Sequence, residues 1–370
     1  MTRNTDTPPV DDTITDVDGA LIVGGSLGGL TTALALADAG IPSTVLERTN
    51  GRTQRGVAIL VAMSDLGRTV GDRARDVITD ELGARAMRQG TYPHAWWDVY
   101  TALRRAADAE PLIRIVEDVH VDEVGHHDAQ AWARDAAGRT WTAPLLIGAD
   151  GYRSVTRRHV DASRPDADYA GYVVWLGQSE LPERRRNNIS GPDFMGGGRR
   201  MLAVYPLIQA DDSVHSFGWG VFDPTQNGLL RELGALDGAR VNYTPRVRDI
   251  DDDVYERMAR VVEHEWPEPW AGPVAAAFRA REVIATPITE YLPDRVVSGP
   301  VALIGDAAHA QTPMTGAGFE EAVTDAEALA HALRDAASPV EGLQRYELAR
   351  LADMRRRVSG GQSFSRSFAA

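Results

Sequence analysis

The stretch Gly24-Gly25-Ser26-Leu27-Gly28-Gly29 decides the fold of this chain because of what stands on either side of it. An apolar run, Ala20–Val23, precedes it, and Leu27–Ala39 follows with Leu and Ala residues at helical spacing. A second apolar strand, Ser43–Leu46, comes next. A strand, a glycine turn, a helix and a second strand in close succession predict a βαβ unit of a Rossmann-like domain.

The glycine turn also predicts a ligand. Glycines allow the backbone to approach a pyrophosphate closely, and the free N–H groups and dipole of the following helix attract it. Glu47 ends the second strand at the spacing expected for an acid that binds a ribose hydroxyl. Ser26 stands at the position of the second glycine in the dinucleotide-binding fingerprint G-x-G-x-x-G, and its side chain narrows the space for phosphates. The alternative is that the glycines only tighten a βα turn.

Two further glycine-containing segments follow predicted strands. The first is Gly148–Arg157, which opens with an Asp-Gly pair; such a pair at a strand end is often only a turn. The second is Gly305–His309, after the apolar run Val301–Ile304, with Gly316–Gly318 opening a helix soon afterwards. Asp306 can accept hydrogen bonds from a polyol chain, and the second helix N-terminus suits a group that becomes anionic.

These three motifs, in this order, resemble those of the group A flavoprotein monooxygenases, the p-hydroxybenzoate hydroxylase type. The resemblance runs from about Gly19 to Arg356, and the serine-containing turn and Tyr169–Trp175 look most like the 2,6-dihydroxypyridine hydroxylase branch. It implies an α/β fold: a Rossmann-like FAD-binding domain with an inserted, mainly antiparallel β-sheet substrate domain and C-terminal helices. The polar, acidic composition of residues 1–18 predicts a mobile tail, and the texture of the sequence changes near Asp161. With these boundaries the resemblance implies the FAD-binding domain at 19–160, the substrate domain at 161–294, and the return of the FAD-binding domain with the C-terminal helices at 295–370.

The resemblance implies FAD as cofactor and NAD(P)H as co-substrate. The residues that it places against FAD are Gly24, Gly25, Ser26, Leu27, Gly28, Gly29, Glu47, Arg48, Asp150, Arg153, Asp306, Pro313, Gly316, Ala317 and Gly318. Many relatives carry an arginine on a helix before the central strands, where this chain has Trp96. Arg48 and Arg55 are the candidates to replace its contact.

The implied reaction is reduction of FAD by NAD(P)H, followed by reaction with dioxygen to a C4a-hydroperoxyflavin that hydroxylates a phenolic or heteroaromatic small molecule. The alternatives are an FAD enzyme of the same fold that does not hydroxylate (a reductase, a cyclase or a catalyst of rearrangement) and a non-catalytic binder of flavin or an aromatic ligand. No catalytic base stands out, and the candidates are His215 and Tyr205. Candidate substrate contacts are Trp175, Tyr205, His215, Phe217 and Pro313, with core packing as the alternative for the aromatic strand residues.

Composition excludes several other classes. The 370 residues carry a net charge of −14, which opposes binding to nucleic acid or anionic lipid. The chain has neither lysine nor cysteine, so Schiff-base chemistry, disulfides and thiolate nucleophiles are excluded. His126 and His127 lie on a polar turn and no metal site is expected. Without an apolar N-terminal run or membrane segment, we expect a cytoplasmic monomer or homodimer.

Between Arg52 and about Ala109 the pattern predicts mainly helices.

Overall fold

A six-stranded sheet forms the centre of the first domain. The computed structural model describes residues 14–51, 58–83, 90–181, 183, 192–209 and 213–370. The sheet has the order β18-β19-β10-β2-β3-β6 and is parallel except for its edge strand β18. Its strands are β2 (Ala20–Val23), β3 (Ser43–Leu46), β6 (Ile113–Val116), β10 (Leu145–Gly148), β18 (Val297–Ser298) and β19 (Val301–Leu303). The central strands are short apolar runs because helices cover both faces of a parallel sheet.

A four-stranded sheet lies beside the first. Its strands are β1 (Ile14–Asp16), β7 (Val121–His127), β8 (Gln130–Asp135) and β9 (Thr140–Ala143), in the order β1-β9-β8-β7. The composition predicts a mobile tail through residue 18, and this is wrong for Ile14–Asp16, which pairs in parallel with β9. All three side chains of β1 are exposed, so backbone hydrogen bonds hold this edge strand without an apolar signal in the sequence.

A seven-stranded antiparallel sheet forms the inserted domain. Its strands are β11 (Asp168–Glu180), β12 (Asp193–Gly197), β13 (Arg200–Ile208), β14 (Val214–Asp223), β15 (Leu236–Asp237), β16 (Arg240–Val241) and β17 (Ile284–Glu290). One face packs against helices α7 (Asp252–Glu265) and α8 (Ala271–Ala280), and we call it the helix-covered face. The opposite face turns toward the first domain, and we call it the inner face.

A two-stranded sheet and the remaining helices surround the three larger sheets. It pairs β4 (Ala58–Ala62) with β5 (Thr91–Ala95), in a region whose pattern predicts mainly helices. Two helices separate these strands along the chain, and we call the antiparallel pair the β4–β5 hairpin. The other helices are α1 (Leu27–Asp38), α2 (Met63–Thr69), α3 (Gly71–Leu82), α4 (Trp96–Asp108), α5 (Val155–Val160), α6 (Asn227–Glu232), α9 (Gly305–His309), α10 (Gly318–Arg334) and α11 (Pro339–Ala369), with 3₁₀ turns at Pro224–Gln226, Val247–Asp249 and Pro313–Thr315. The expected α/β fold with an antiparallel insertion and C-terminal helices is confirmed.

Within these described ranges, no helix combines the length and the apolar character that crossing a bilayer requires.

Candidate cofactor and substrate site

The three motifs lie side by side at one edge of the six-stranded sheet. Strands β3, β2, β10 and β19 are neighbours and run parallel, so their carboxyl ends meet along this edge. The N–H of Ala149 donates to the carbonyl of Val23 at 2.8 Å, and the N–H of Ile304 donates to the carbonyl of Gly148 at 3.0 Å. Segments that are far apart in sequence therefore share one groove, as expected for ligands that bind at the carboxyl ends of open α/β sheets.

The first glycine turn has no room for side chains at two positions. A Cβ atom on Gly29 would lie 1.9 Å from the carbonyl oxygen of Gly24, and one on Gly24 would lie 2.4 Å from the carbonyl oxygen of Ala149. Helix α1 begins directly after Ser26, whose side chain makes no capping hydrogen bond, and its first turn carries no acid. These features leave the helix N-terminus suited to a pyrophosphate.

Glu47 ties the glycine turn to the end of β3. Its buried carboxylate accepts a hydrogen bond from the N–H of Gly25 at 2.8 Å and from the N–H and hydroxyl of Thr49 at 2.9 and 2.6 Å. The acid thus stands at the position that the sequence predicts for a ribose contact, and it also fixes the shape of the turn. Arg48, next along the chain, is exposed, whereas Arg55 lies outside the described residues.

The acid of the second motif, Asp150, forms hydrogen bonds with its own segment of the chain. The Asp150 carboxylate accepts hydrogen bonds from the N–H groups of Val155 and Thr156, at 2.8 and 3.1 Å, and from two hydroxyls of the same segment. It therefore caps α5 beside the first turn. Arg153 is exposed and donates to the carbonyl of Asn242 in the inserted domain at 2.8 Å, so it lies away from the glycine turn.

Arg157 joins the second motif to the third, a role that the sequence did not reveal. Its fully buried guanidinium donates to the carbonyls of Tyr152, Asp306 and Ala307 at 2.7–2.8 Å and lies 4.3 Å from the centre of the Tyr291 ring. Two of these charge-assisted hydrogen bonds go to α9 and hold it at a fixed distance from α5. A lone arginine on the buried side of a short helix is the signal that could have identified it.

Asp306 is exposed to the groove while its neighbours in α9 are buried. In the described part of the chain, nothing donates a hydrogen bond or forms an ion pair with its carboxylate. Desolvation by the surrounding protein raises its pKa, although His309 and Arg157 oppose this effect. A carboxylate on the floor of a groove, with its lone pairs unused, fits the hydroxyls of a ribityl chain.

A buried network of charges lies beneath Asp306. Asp325 accepts a hydrogen bond from the N–H of Gly305 at 2.9 Å, and its carboxylate is 2.6 Å from His309 Nε2 and 2.8 Å from Arg350 Nε. Burial by itself would lower the pKa of His309, but the charge of Asp325 raises the pKa above its usual value. His309 is thus a structural neighbour of the site, and Asp325 and Arg350 are positioning residues that the sequence did not single out.

The loop at residues 312–318 faces both domains. The Thr312 hydroxyl lies 2.6 Å from the hydroxyl of Tyr172 on the inner face, and Pro313 is exposed. Gly316 has a φ of 62°, and a Cβ there would lie 2.5 Å from Leu60 of the β4–β5 hairpin. Helix α10 begins at Gly318 directly after this loop, and unlike α1 it carries two acids, Glu320 and Glu321, in its first turn.

The aromatic candidates on the inserted sheet divide between its two faces. Trp175 and Phe217 are fully buried on the helix-covered face, with ring centroids 5.5 Å from Phe278 and 5.0 Å from Trp270, respectively. The position of these two residues therefore corrects their assignment as substrate contacts. His215 is exposed near the end of β14 and is likewise not on the inner face. Tyr205 alone lies there, in the cluster that includes Met314.

An aromatic pair takes the place of the arginine found in many relatives. Trp96 begins α4, and its ring stacks on that of Tyr100 with the centroids 5.0 Å apart.

The histidines considered as metal ligands lie beside a third histidine. His126 Nδ1 lies 2.8 Å from His159 Nε2. The described ranges contain no group of three or more His, Asp or Glu residues able to hold a metal ion.

Comparisons with known proteins agree with this geometry. Residues 225–359 match the family model described as FAD binding domain. The chain is similar to the FAD-dependent urate hydroxylase of Klebsiella oxytoca, with 26% identity over 359 residues, 90% of this chain and 85% of that protein.

Two solved structures have the same fold. The first is 2,6-dihydroxypyridine-3-hydroxylase from Arthrobacter nicotinovorans, with a TM-score of 0.72, 22% identity and coverage of 95% of this chain and 93% of that one. The second is Klebsiella pneumoniae HpxO complexed with FAD and uric acid, with a TM-score of 0.71, 21% identity and coverage of 95% and 88%. The resemblance to FAD-dependent aromatic monooxygenases is confirmed.

The residues at the groove fit two parts of FAD. The side-chain-free turn at Gly24 and Gly29 and the open N-terminus of α1 suit the pyrophosphate. The Asp306 carboxylate, which has no partner among the described residues, suits the ribityl hydroxyls. FAD is therefore the cofactor that this groove is built to hold.

Proposed function

We propose that this chain is a cytoplasmic, NAD(P)H- and oxygen-dependent FAD monooxygenase that hydroxylates a phenolic or heteroaromatic small molecule. The observation that carries the proposal is the position of Asp306, a carboxylate without a partner among the described residues, on the same sheet edge as the acid-free N-terminus of α1. The aromatic substrates named for the similar proteins support it. The cytoplasm supplies the reduced nicotinamide that the reaction consumes.

When bound, FAD would accept a hydride from NAD(P)H and activate dioxygen for transfer to the ring. The protein holds this cofactor with the first glycine turn, Glu47 and Asp306, and Arg157 and Asp325 keep α9 in place beneath it. Leu60 and Met314 put apolar side chains beside the 312–318 loop, and an apolar wall limits access of water to a reacting centre.

Tyr205 is the candidate to orient the substrate. Burial raises its pKa to about 12, so at neutral pH it is a neutral phenol that can donate or accept a hydrogen bond. A group that keeps its proton at neutral pH does not serve as a general base. The proposal therefore uses Tyr205 to position a ring hydroxyl and assigns proton removal to no described side chain.

The test is purification followed by turnover. The protein should retain FAD, its oxidation of NADH or NADPH should accelerate when a suitable phenol is added, and the product mass should rise by one oxygen atom. Acceleration without oxygenated product would indicate a non-hydroxylating FAD enzyme and overturn the proposal, as would failure to bind FAD.

A paired substitution tests the cofactor site. Asp306→Asn should weaken FAD binding by about 10- to 100-fold, since hydrogen bonds to a charged acceptor contribute roughly 1.5–3 kcal/mol. Asp335→Asn, at an exposed residue that follows α10, is the matched control and should bind FAD as the wild type does. Equal FAD affinity in all three proteins, measured by quenching of flavin fluorescence, would contradict the role given to Asp306.

A further inference from the structure

The substrate side of the site has an apolar wall. Half-buried apolar side chains surround the buried centre of the inner face, and the 312–318 loop and helix α11 each contribute one of them. These half-buried residues are Leu176, Met201, Tyr205, Met314 and Phe368. Accessible apolar surface therefore lies between the 312–318 loop and the inserted sheet. Such surface is the usual lining of a pocket for a small planar molecule.

Positive charge is absent from the inner face of the three strands β11, β13 and β14 as far as the structure describes them. There the register places apolar residues, glycines and a few uncharged polar residues, with acids only at the two ends of β11, Asp168 and Glu180. The nearest arginine in these strands, Arg200, lies on the other face and pairs with Asp223 and Glu265.

The helix that follows the 312–318 loop begins with negative charge. The first turn of α10 contains Glu320 and Glu321. Glu321 is buried and paired with Arg350 and Arg357, whereas Glu320 is half-buried and forms no ion pair with any described residue. An anionic substrate would therefore lose its hydration and gain no cation from the inner face of these three strands, and both effects oppose binding.

One polar group interrupts the apolar wall. The Tyr205 hydroxyl has no hydrogen-bond partner within the described ranges, and its ring leans across Gly218, where a Cβ would lie 3.2 Å from the Tyr205 ring. Ala58 of the β4–β5 hairpin approaches the same position and would lie 2.6 Å from that Cβ, so the hairpin rests on the sheet there. A side-chain-free residue at 218 thus lets the hairpin and the tyrosine meet at one end of the pocket.

From this arrangement we infer that the site selects an uncharged ring: a neutral phenol or hydroxylated heteroarene, held by apolar contacts and one hydrogen bond to Tyr205, with carboxylated rings excluded. The inference rests on the proposed function and narrows its substrate class. Such specificity arises because the described inner face offers no cation to a carboxylate. Burying an unpaired carboxylate costs far more free energy than one hydrogen bond contributes.

Matched pairs of rings provide the test. In each pair the rings differ by one charge, as in 3-hydroxybenzamide against 3-hydroxybenzoate, and 2-naphthol against 3-hydroxy-2-naphthoate. Binding is followed by the change in the visible spectrum of the flavin in the holoenzyme, and turnover by ring-stimulated NAD(P)H oxidation. The neutral member should bind roughly 100-fold more tightly or better. Equal or tighter binding of the carboxylated member would overturn the inference.

Two variants separate the contributions to binding. Tyr205→Phe should weaken binding of the neutral phenols by about 3- to 10-fold through loss of one hydrogen bond. Tyr255→Phe, on the far side of the sheet where the hydroxyl donates to the carbonyl of Val247, is the matched control and should change nothing. Met201→Arg should reverse the preference by giving a carboxylate its missing partner. Unchanged phenol binding in Tyr205→Phe, or an unchanged preference in Met201→Arg that still holds FAD, would count against the inference.

The two levels of proposal fail differently. A protein that does not bind FAD refutes the proposed function and the inference with it. A protein that binds FAD and hydroxylates 3-hydroxybenzoate in preference to its amide keeps the proposed function and loses only the inference about charge.

Discussion

Gly29→Ala tests whether the first glycine turn is a cofactor cradle or only a turn. A Cβ at this position would lie 1.9 Å from the carbonyl oxygen of Gly24, whereas real Cβ contacts stay beyond about 3.0 Å. The start of α1 must therefore move by about 1 Å away from the end of β2. Displacements of this size in a packed interior cost about 1–3 kcal/mol, and a misplacement of about 1 Å at a binding site can cost about 100-fold.

Gly28→Ala is the matched control, one residue earlier in the same turn. A Cβ there would lie 3.5 Å from Ala322 Cβ and 3.7 Å from Ile304, which is ordinary van der Waals contact. Alanine is also the better helix former by about 1 kcal/mol. We expect Gly28→Ala to retain the thermal stability of the apoprotein and, because the turn keeps its shape, to lose less FAD affinity than Gly29→Ala.

The assay is titration of apoprotein with FAD, followed by flavin fluorescence, together with thermal unfolding of the apo and FAD-loaded forms. Gly29→Ala should bind FAD about 100-fold more weakly, and added FAD should stabilise it less than it stabilises the wild type. FAD affinity within threefold of the wild type would refute the reasoning. So would equal losses in the two variants, because the turn would then tolerate any methyl group equally badly.

Two further predictions concern the charge network and the inserted sheet. Because Asp325 raises the pKa of His309, the stabilisation from protonated His309 is complete below the unfolded-state pKa of about 6.5 and is lost as pH rises through the higher folded-state value. The free energy of unfolding in urea should therefore fall above about pH 6.5, by at most about 1.4 kcal/mol per pH unit, and Asp325→Asn should abolish this fall; an identical pH profile in the variant would contradict the coupling. Phe217→Ala should lower the free energy of unfolding by about 3–5 kcal/mol without changing the dissociation constant for a phenol. His215→Ala should alter the free energy of unfolding by less than about 0.5 kcal/mol. Loss of phenol binding in either variant would show that the residue contacts the substrate after all.

Local patterns were sufficient for the elements that build the cofactor groove. The predicted strands Ala20–Val23 and Ser43–Leu46 have the bounds observed in the structure, and the predicted helix Leu27–Ala39 differs from the observed α1 by one residue at its end. Short apolar runs and a helical period are local signals. The meeting of the motifs at one edge was also predictable, because parallel strands bring their carboxyl ends together.

The functions of individual side chains depended on contacts between distant segments. Asp150 was predicted to bind FAD, but the structure engages its carboxylate in capping α5. Alternation along β14 showed that His215 and Phe217 share a side of the strand. It carried no information about which side faces the cofactor, since the position of α7 and α8 decides that. The β4–β5 hairpin was missed because its partner strands are separated by two helices.

Helix α11 shows how a long-range element sets the geometry that the reaction needs. The sequence predicts C-terminal helices without fixing their lengths, and the last of them is one continuous helix of 31 residues that ends at Ala369 and is about 46 Å long. Near its start, Tyr346 donates to the carbonyl of Leu303 at 2.9 Å, in the strand that leads to Asp306. Near its end, the Phe368 ring packs edge-on against Tyr172 of the inner face, with centroids 5.3 Å apart.

Between these anchors the helix passes directly against the 312–318 loop. A Cβ on Gly361 would lie 2.7 Å from Thr312 Cγ2, so a residue without a side chain permits this approach. Ser365, one turn later, donates to Glu290 of β17 at 2.6 Å. One continuous helix thus contacts the strand that precedes Asp306, the 312–318 loop and the inserted sheet. The distance between the cofactor groove and the apolar wall is therefore set by α11 as well as by the motifs. Motif spacing alone predicted the cofactor but left the substrate face undetermined for this reason.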